Sequence, residues 1–280
     1  RPGAWEGARQ LELTRERIRV PSVLSKRLAG NTGYIRLKQF QATSESEMHD
    51  ALEQMRKKEK HEDVMLDLRG NPGGLLEQAA KVADLFVARG TIVATVGAAE
   101  GREEKQATGA GTEPPYPLVV LVSGSSASAS EIVAGALKNL DRAVIVGQTT
   151  FGKGSVQLVF PEVTQDKAAL KLTIAQYLTP GDRSIQGVGV TPHVELDPMT
   201  VDPLEMDLTL QADGVRERDL SQHLSNDRAQ APTKPAQVLR YYLSEKDRTE
   251  LRERGGELDD DFEEDFPITF ARDLAKRLPS

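Results

Sequence analysis

Two short stretches of this chain carry residue types that can do covalent chemistry. In the first, Gly124-Ser125-Ser126-Ala127-Ser128-Ala129-Ser130-Glu131, hydroxyls gather where an apolar run ends. That run, Leu118 to Val122, is followed after the serines by Ile132, Val133, Ala136, Leu137 and Leu140 at helical spacing. A serine at such a strand-to-helix turn projects from the end of a sheet. The N–H groups after it lie at a helix N-terminus, with positive dipole and no intrahelical partner, and can hold an oxyanion. Taken alone, the stretch reads more simply as a small-residue turn with a serine helix cap.

A serine hydroxyl needs a base. The four histidines, His49, His61, His193 and His223, lie away from the glycine-rich turns, and no two have metal-ligand spacing. A desolvated lysine can take the role instead. Phe151-Gly152-Lys153-Gly154, just past the apolar run Ala143 to Val146, supplies the candidate; its plainer reading is a lysine in an exposed hairpin. The same segment, Gly147 to Lys153, matches the G-x-x-x-x-G-K phosphate loop of nucleotide-binding proteins. That match fails twice. Gly154 stands where Ser or Thr should hold magnesium, and Val156, Leu158 and Phe160 alternate as a strand where a helix should begin.

Ser126-Ala127-Ser128-Ala129-Ser130-Glu131 with Thr150-Phe151-Gly152-Lys153-Gly154-Ser155-Val156-Gln157 resembles the signature of the carboxyl-terminal processing proteases (tail-specific proteases, peptidase family S41). Leu66-Asp67-Leu68-Arg69-Gly70-Asn71-Pro72-Gly73-Gly74 and Arg183 to Pro192 also match, as does the 25-residue separation of Ser128 and Lys153. The resemblance runs from about residue 10 to 197. It implies Ser128 as nucleophile, Lys153 as general base, Gln157 orienting the lysine amine, and the N–H groups of Gly74 and Ala129 as oxyanion hole. It further implies an acyl-enzyme, no metal or cofactor, and polypeptide substrates presented as extended, C-terminally accessible chains in the bacterial cell envelope. One departure is Asn139, where some family members have an aspartate eleven residues after the serine. The non-enzymatic alternative, an inactive protease-like scaffold, sits poorly with retention of both Ser128 and Lys153.

The elements that must position these groups follow from periodicity. Val64 to Leu68 reads as a strand ending at the turn Arg69-Gly70-Asn71-Pro72-Gly73-Gly74, with a helix pattern from Leu75 to Phe86. Strand, helix and strand alternate from 64 to 147, which predicts crossover units and a largely parallel sheet. Gly33 to Leu37, Val156 to Phe160 and Leu170 to Tyr177 read as further strands, residues 44–60 as a helix, 98–115 as an exposed loop, and 200–250 as helical. With the resemblance, the expected α/β architecture is a ClpP/crotonase-like core with a mixed sheet over 21–197. A remnant of an N-terminal PDZ domain would occupy 1–20 and a helical C-terminal extension 198–280. PDZ modules capture C-termini by strand addition. The C-terminal helices are candidates for homo-oligomer formation or adaptor docking, without a sequence signal to discriminate.

Composition fits a packed core with a solvated surface: 280 residues, 38% hydrophobic and 28% charged. The net charge of −7 argues against nucleic acid as main partner. There is no cysteine, which removes disulfides and thiol catalysis. The acidic run Glu257 to Asp265 lacks the ligand periodicity of an EF-hand and reads as a solvated face. The chain begins at Arg1 rather than Met, so a fragment or processed form is expected.

Overall fold

The computed structural model describes residues 14–15, 20–59, 61–97, 101–161, 168–201, 208–210, 214–221, 223–225, 233–244 and 265–279. Its frame is an eight-stranded mixed sheet. In order of pairing, the strands are β1 (Val23–Arg27), β2 (Thr32–Leu37), β3 (Asp63–Asp67), β6 (Leu118–Val122), β7 (Val144–Gly147), β11 (Val194–Val201) and β12 (Leu208–Leu210), and β13 (Gln237–Tyr242) also pairs with β11. From β2 to β11 the neighbours run parallel. The helices α1 (Ser44–Gln54), α2 (Leu76–Asp84) and α3 (Ala129–Asn139) follow β2, β3 and β6.

The unbroken apolar run of β6 has a direct cause. Leu118, Val120 and Val122 face one core with Ile35, Leu66, Val82 and Ile132, whereas Val119 and Leu121 face a second with Tyr34, Met65 and Val146. A strand covered on both sides has no polar face to show. The second core is closed by α4 (Phe266–Ala275), through Ile268, Ala271 and Ala275. Asp265 caps α4 by accepting from the Ile268 N–H at 2.9 Å, and also takes Arg69 Nη1 at 2.7 Å. Arg69 in turn is fixed by Asp67, fully buried, which accepts the Tyr34 hydroxyl at 2.8 Å. Burial alone would raise the Asp67 carboxyl. The charge and hydrogen bonds of Arg69, together with the charge of Arg36, outweigh burial and hold the carboxyl below its ordinary range. The start of α4 is thereby joined to the turn leaving β3.

A second, antiparallel sheet holds β10 (Arg183–Ser184), β9 (Leu170–Thr179), β4 (Thr91–Gly97) and β5 (Gly101–Gln106) in that order, with β8 (Ser155–Phe160) on β9. Two expectations are corrected here. Within 98–115, Gly101–Gln106 is a strand: exposed at nearly every residue and charged from Arg102 to Lys105, it shows no hydrophobic period, as a solvated edge should not. The described parts of 200–250 hold β12, β13 and one short 3-10 turn at Glu217–Asp219, with no α-helix among the described residues. Val238, Tyr241 and Tyr242 are strand formers, and β13 joins β11 in parallel register. Most of residues 1–20, the expected PDZ remnant, lies outside the described residues.

If α4 closes the second core, Ile268→Ala should cost about 2–5 kcal/mol, the usual range for emptying a buried aliphatic site. A urea melt reads this. A midpoint equal to the parent's would mean that the helix does not seal that face.

Candidate active site

Because β3, β6 and β7 are parallel, the loops after Asp67, Val122 and Gly147 leave the same edge of the sheet. The carboxyl edge of such sheets is where ligands bind. The turn after β3 is anchored by Asn71, wholly buried. Its Nδ2 donates to Leu37 O at 2.7 Å, its Oδ1 accepts from the Gly73 N–H at 2.9 Å, and its carbonyl accepts the Ala127 N–H and the Ser130 hydroxyl, both at 3.0 Å. Ser126 is buried as well, its hydroxyl donating to Leu68 O at 2.8 Å. Two of the serines in the small-residue loop are therefore stitches between segments.

Ser128 stands at the N-terminal boundary of α3 with φ 55° and ψ −111°. A left-handed backbone is costly for a side chain with Cβ, and a serine held in a tense strand-to-helix turn is the way hydrolases expose a nucleophile. The glycine turn presses against it. A Cβ on Gly73 would lie 2.9 Å from Ser128 Cβ and 3.0 Å from Ala129 N. Phe40 N donates to Gly73 O and Leu75 N to Phe40 O, each at 3.0 Å, making a parallel bridge at Gly74. The Gly74 N–H itself therefore points away from Phe40. A Cβ there would meet Phe40 O at 2.2 Å. Among the described residues, the N–H groups of Gly74 and Ala129 have no hydrogen-bond partner.

Lys153 arrives from the β7 side. The connection to it is tied to the serine loop by Phe151 N donating to Ser126 O at 3.0 Å. From the other side, Gln186, fully buried, accepts the Gly154 N–H on Oε1 at 2.9 Å, and the Thr150 hydroxyl accepts the Val190 N–H at 2.7 Å. Thus the Arg183 to Pro192 segment braces the Lys153 loop.

The decisive contact is made by Glu131, whose side chain is fully buried. Its Oε2 accepts the N–H of Ser128 and the N–H of Lys153, both at 2.8 Å. The two nitrogens, 25 residues apart in sequence, cannot then be farther apart than twice 2.8 Å. Oε1 accepts the Thr150 hydroxyl and the Gly152 N–H, both at 2.6 Å. Ser128 and Lys153 are half-buried, and no hydrogen bond joins the Ser128 hydroxyl to the Lys153 amine among the described residues. Gln157 is exposed on β8, its Nε2 donating to Thr173 Oγ1 at 3.4 Å. His193 is engaged elsewhere, its Nδ1 accepting from the Ile145 N–H at 3.0 Å, and burial lowers its pKa. The geometry also counts against a phosphate loop: Gly147 to Lys153 leads into β8, and the N–H groups that would cradle phosphate are held by a carboxylate.

Residues 31–196 match the description "Peptidase family S41". The chain belongs to peptidase family S41. It is 42% identical over 191 residues to a carboxy-terminal-processing protease of Bartonella bacilliformis, covering 67% of this chain and 43% of the relative. To a carboxyl-terminal-processing protease of Synechocystis it is 41% identical over 192 residues, covering 67% and 44%. Among solved structures, a photosystem II D1 C-terminal processing protease superposes with TM-score 0.57 at 33% identity, over 66% of this chain and 50% of that one. The S41 chain thus spans less than half the length of these two curated relatives.

Sequence reasoning on this S41 chain passed over Glu131 as a site residue. The available signal was the spacing Ser128-x-x-Glu131, a capping-box pattern in which the glutamate returns to the cap's N–H. Burial pushes the Glu131 carboxyl up to about 7, against the pull of its four hydrogen bonds. Below about pH 4.5 both folded and unfolded chains hold this proton. As pH rises from there to about 7, the unfolded chain releases it first, so stability falls, by about 3 kcal/mol in all. Glu131→Gln should lack this loss. Urea midpoints from pH 4 to 8 should shift in favour of the variant as pH rises; a difference independent of pH would show that the buried carboxyl titrates normally.

Proposed function

We propose that this S41 chain is the catalytic core of a serine endopeptidase with a Ser128–Lys153 dyad. The observation that carries the reading is the single Glu131 oxygen shared by the backbone N–H groups of Ser128 and Lys153. A strained, half-buried serine and a lysine loop are held side by side at the carboxyl edge of a parallel sheet.

In the mechanism, the Lys153 amine takes the proton from Ser128 Oγ as that oxygen bonds to the peptide carbonyl carbon. The carbonyl electron pair moves onto oxygen, between the N–H groups of Gly74 and Ala129, whose lack of a hydrogen-bond partner among the described residues supports this role. The C–N bond then breaks and the lysine ammonium returns the proton to the leaving amine. Water, deprotonated by the same amine, adds to the ester carbon; the bond from that carbon to Ser128 Oγ then breaks and the ammonium returns its proton to Oγ. Gln157 orients the amine in this scheme. Its side-chain hydrogen bond to Thr173, at 3.4 Å, is at the long limit and yields easily to a turn of the amide.

Relatives named for carboxyl-terminal processing support substrates with accessible C-terminal segments. The bacterial cell envelope as the setting rests on the resemblance of the sequence motifs alone. An inactive scaffold has no use for a tense serine beside two donors that find no partner among the described residues.

The test is digestion of labelled casein by the chain. Ser128→Ala and Lys153→Ala should each lower turnover by roughly 10³-fold or more, the scale of losing a nucleophile or its base. Near-wild-type turnover in Lys153→Ala, or a parent chain that leaves casein intact, contradicts the reading.

A further inference from the structure

Glu131 does more than a helix cap requires. A capping-box glutamate needs one bond, to the N–H of the cap residue, here Ser128. Three further donors, Thr150 Oγ1, Gly152 N and Lys153 N, come from the loop after β7, which α3 has no need to hold. The Thr150 hydroxyl already accepts from Val190 N–H, which commits its proton to Glu131. Both carboxylate oxygens therefore face two donors each, an arrangement that suits the ionised side chain. Burying a charge in this way is expensive, and an apolar packing of the same volume is commonly as stable or more so. Stability alone does not explain the choice of residue.

We infer that Glu131 is a positioning residue of the dyad, a carboxylate clamp that fixes the backbones of Ser128 and Lys153 relative to each other. The inference rests on the Ser128–Lys153 reading of the site. The clamp answers a mechanical problem. Ser128 is kept in a left-handed conformation that its own side chain disfavours, and Lys153 sits between glycines ahead of the first paired residue of β8, Ser155. Neither backbone is set by a strand ladder at that point. The braces from Ser126 and Gln186 fix the residues before and after Lys153, whereas Glu131 holds Lys153 itself. Without the carboxylate, hydroxyl and amine can drift independently, and a displacement of about 1 Å can cost about 10² in rate.

The experiment uses the full chain and labelled casein, with Ser128→Ala and Lys153→Ala run beside Glu131→Gln. The amide keeps volume and one acceptor but turns an NH2 toward two donors. Expected is a fall in kcat of about 10²-fold with KM within about twofold, in a variant that circular dichroism shows to be folded at the assay temperature and pH 8. Hydrogen exchange at the Ser128, Gly152 and Lys153 amides should quicken in the same variant. Should Glu131→Gln fail to fold by circular dichroism, Glu131→Asp decides: it keeps the charge but draws the oxygens back by one methylene, and the same kcat loss is expected. A folded variant of either kind with parental kcat, or a kcat loss that only tracks the unfolded fraction, overturns the clamp. If Ser128→Ala or Lys153→Ala keeps turnover, the dyad itself has failed, and the clamp falls with it for that separate reason.

Discussion

A carboxylate shut away from water must find its hydrogen bonds within the protein, and Glu131 finds them in two loops that leave neighbouring strands. This one constraint organises the edge of the sheet. The ends of β6 and β7 lie side by side because the strands are parallel, and the loops beyond them are free to diverge. Four donors meeting on one side chain prevent that. The loop after β3 is drawn in separately, through Asn71, whose backbone and side chain are both engaged.

The surroundings are arranged to leave little slack. Ser126, Ser130, Asn71, Thr150 and Gln186 are buried polar side chains with partners in a different segment of the chain. Buried polar groups that are fully satisfied specify a single arrangement, because each alternative strands a donor or acceptor. Local strain is concentrated against this background at Ser128, with the glycine turn pressed on it. The Gly74 and Ala129 N–H groups are the exceptions, without hydrogen-bond partners among the described residues where their neighbours are satisfied. On the far side, Arg69 links the same turn to Asp265 and so to the docking of α4, although 196 residues separate the pair.

Much of this could be read without coordinates. The doubly buried β6 announces itself as Leu118 to Val122, and the serine loop and the Lys153 turn stand out by composition. The phosphate-loop alternative was separable from sequence because Val156, Leu158 and Phe160 alternate. Other features carried no local signal. The charged edge strand Gly101–Gln106 has no hydrophobic period, and β13 pairs with a strand some 40 residues earlier, so pattern alone did not place it. Glu131 was visible only as a cap. Its bonds to Gly152 and Lys153 depend on tertiary placement, which no spacing within the α3 motif encodes. The same holds for Gln186, whose amide reaches Gly154 across 32 residues.

The central claim is that Ser128 becomes covalently acylated with Lys153 as the base. The most direct measurement is a rapid acid quench of the chain with a peptide ester, followed by peptide-level mass spectrometry. The account predicts an acyl group on the peptide containing Ser128, with its formation slowed by orders of magnitude in Lys153→Ala. An acyl group on another residue, no acyl group during turnover, or unchanged acylation without the lysine would contradict it.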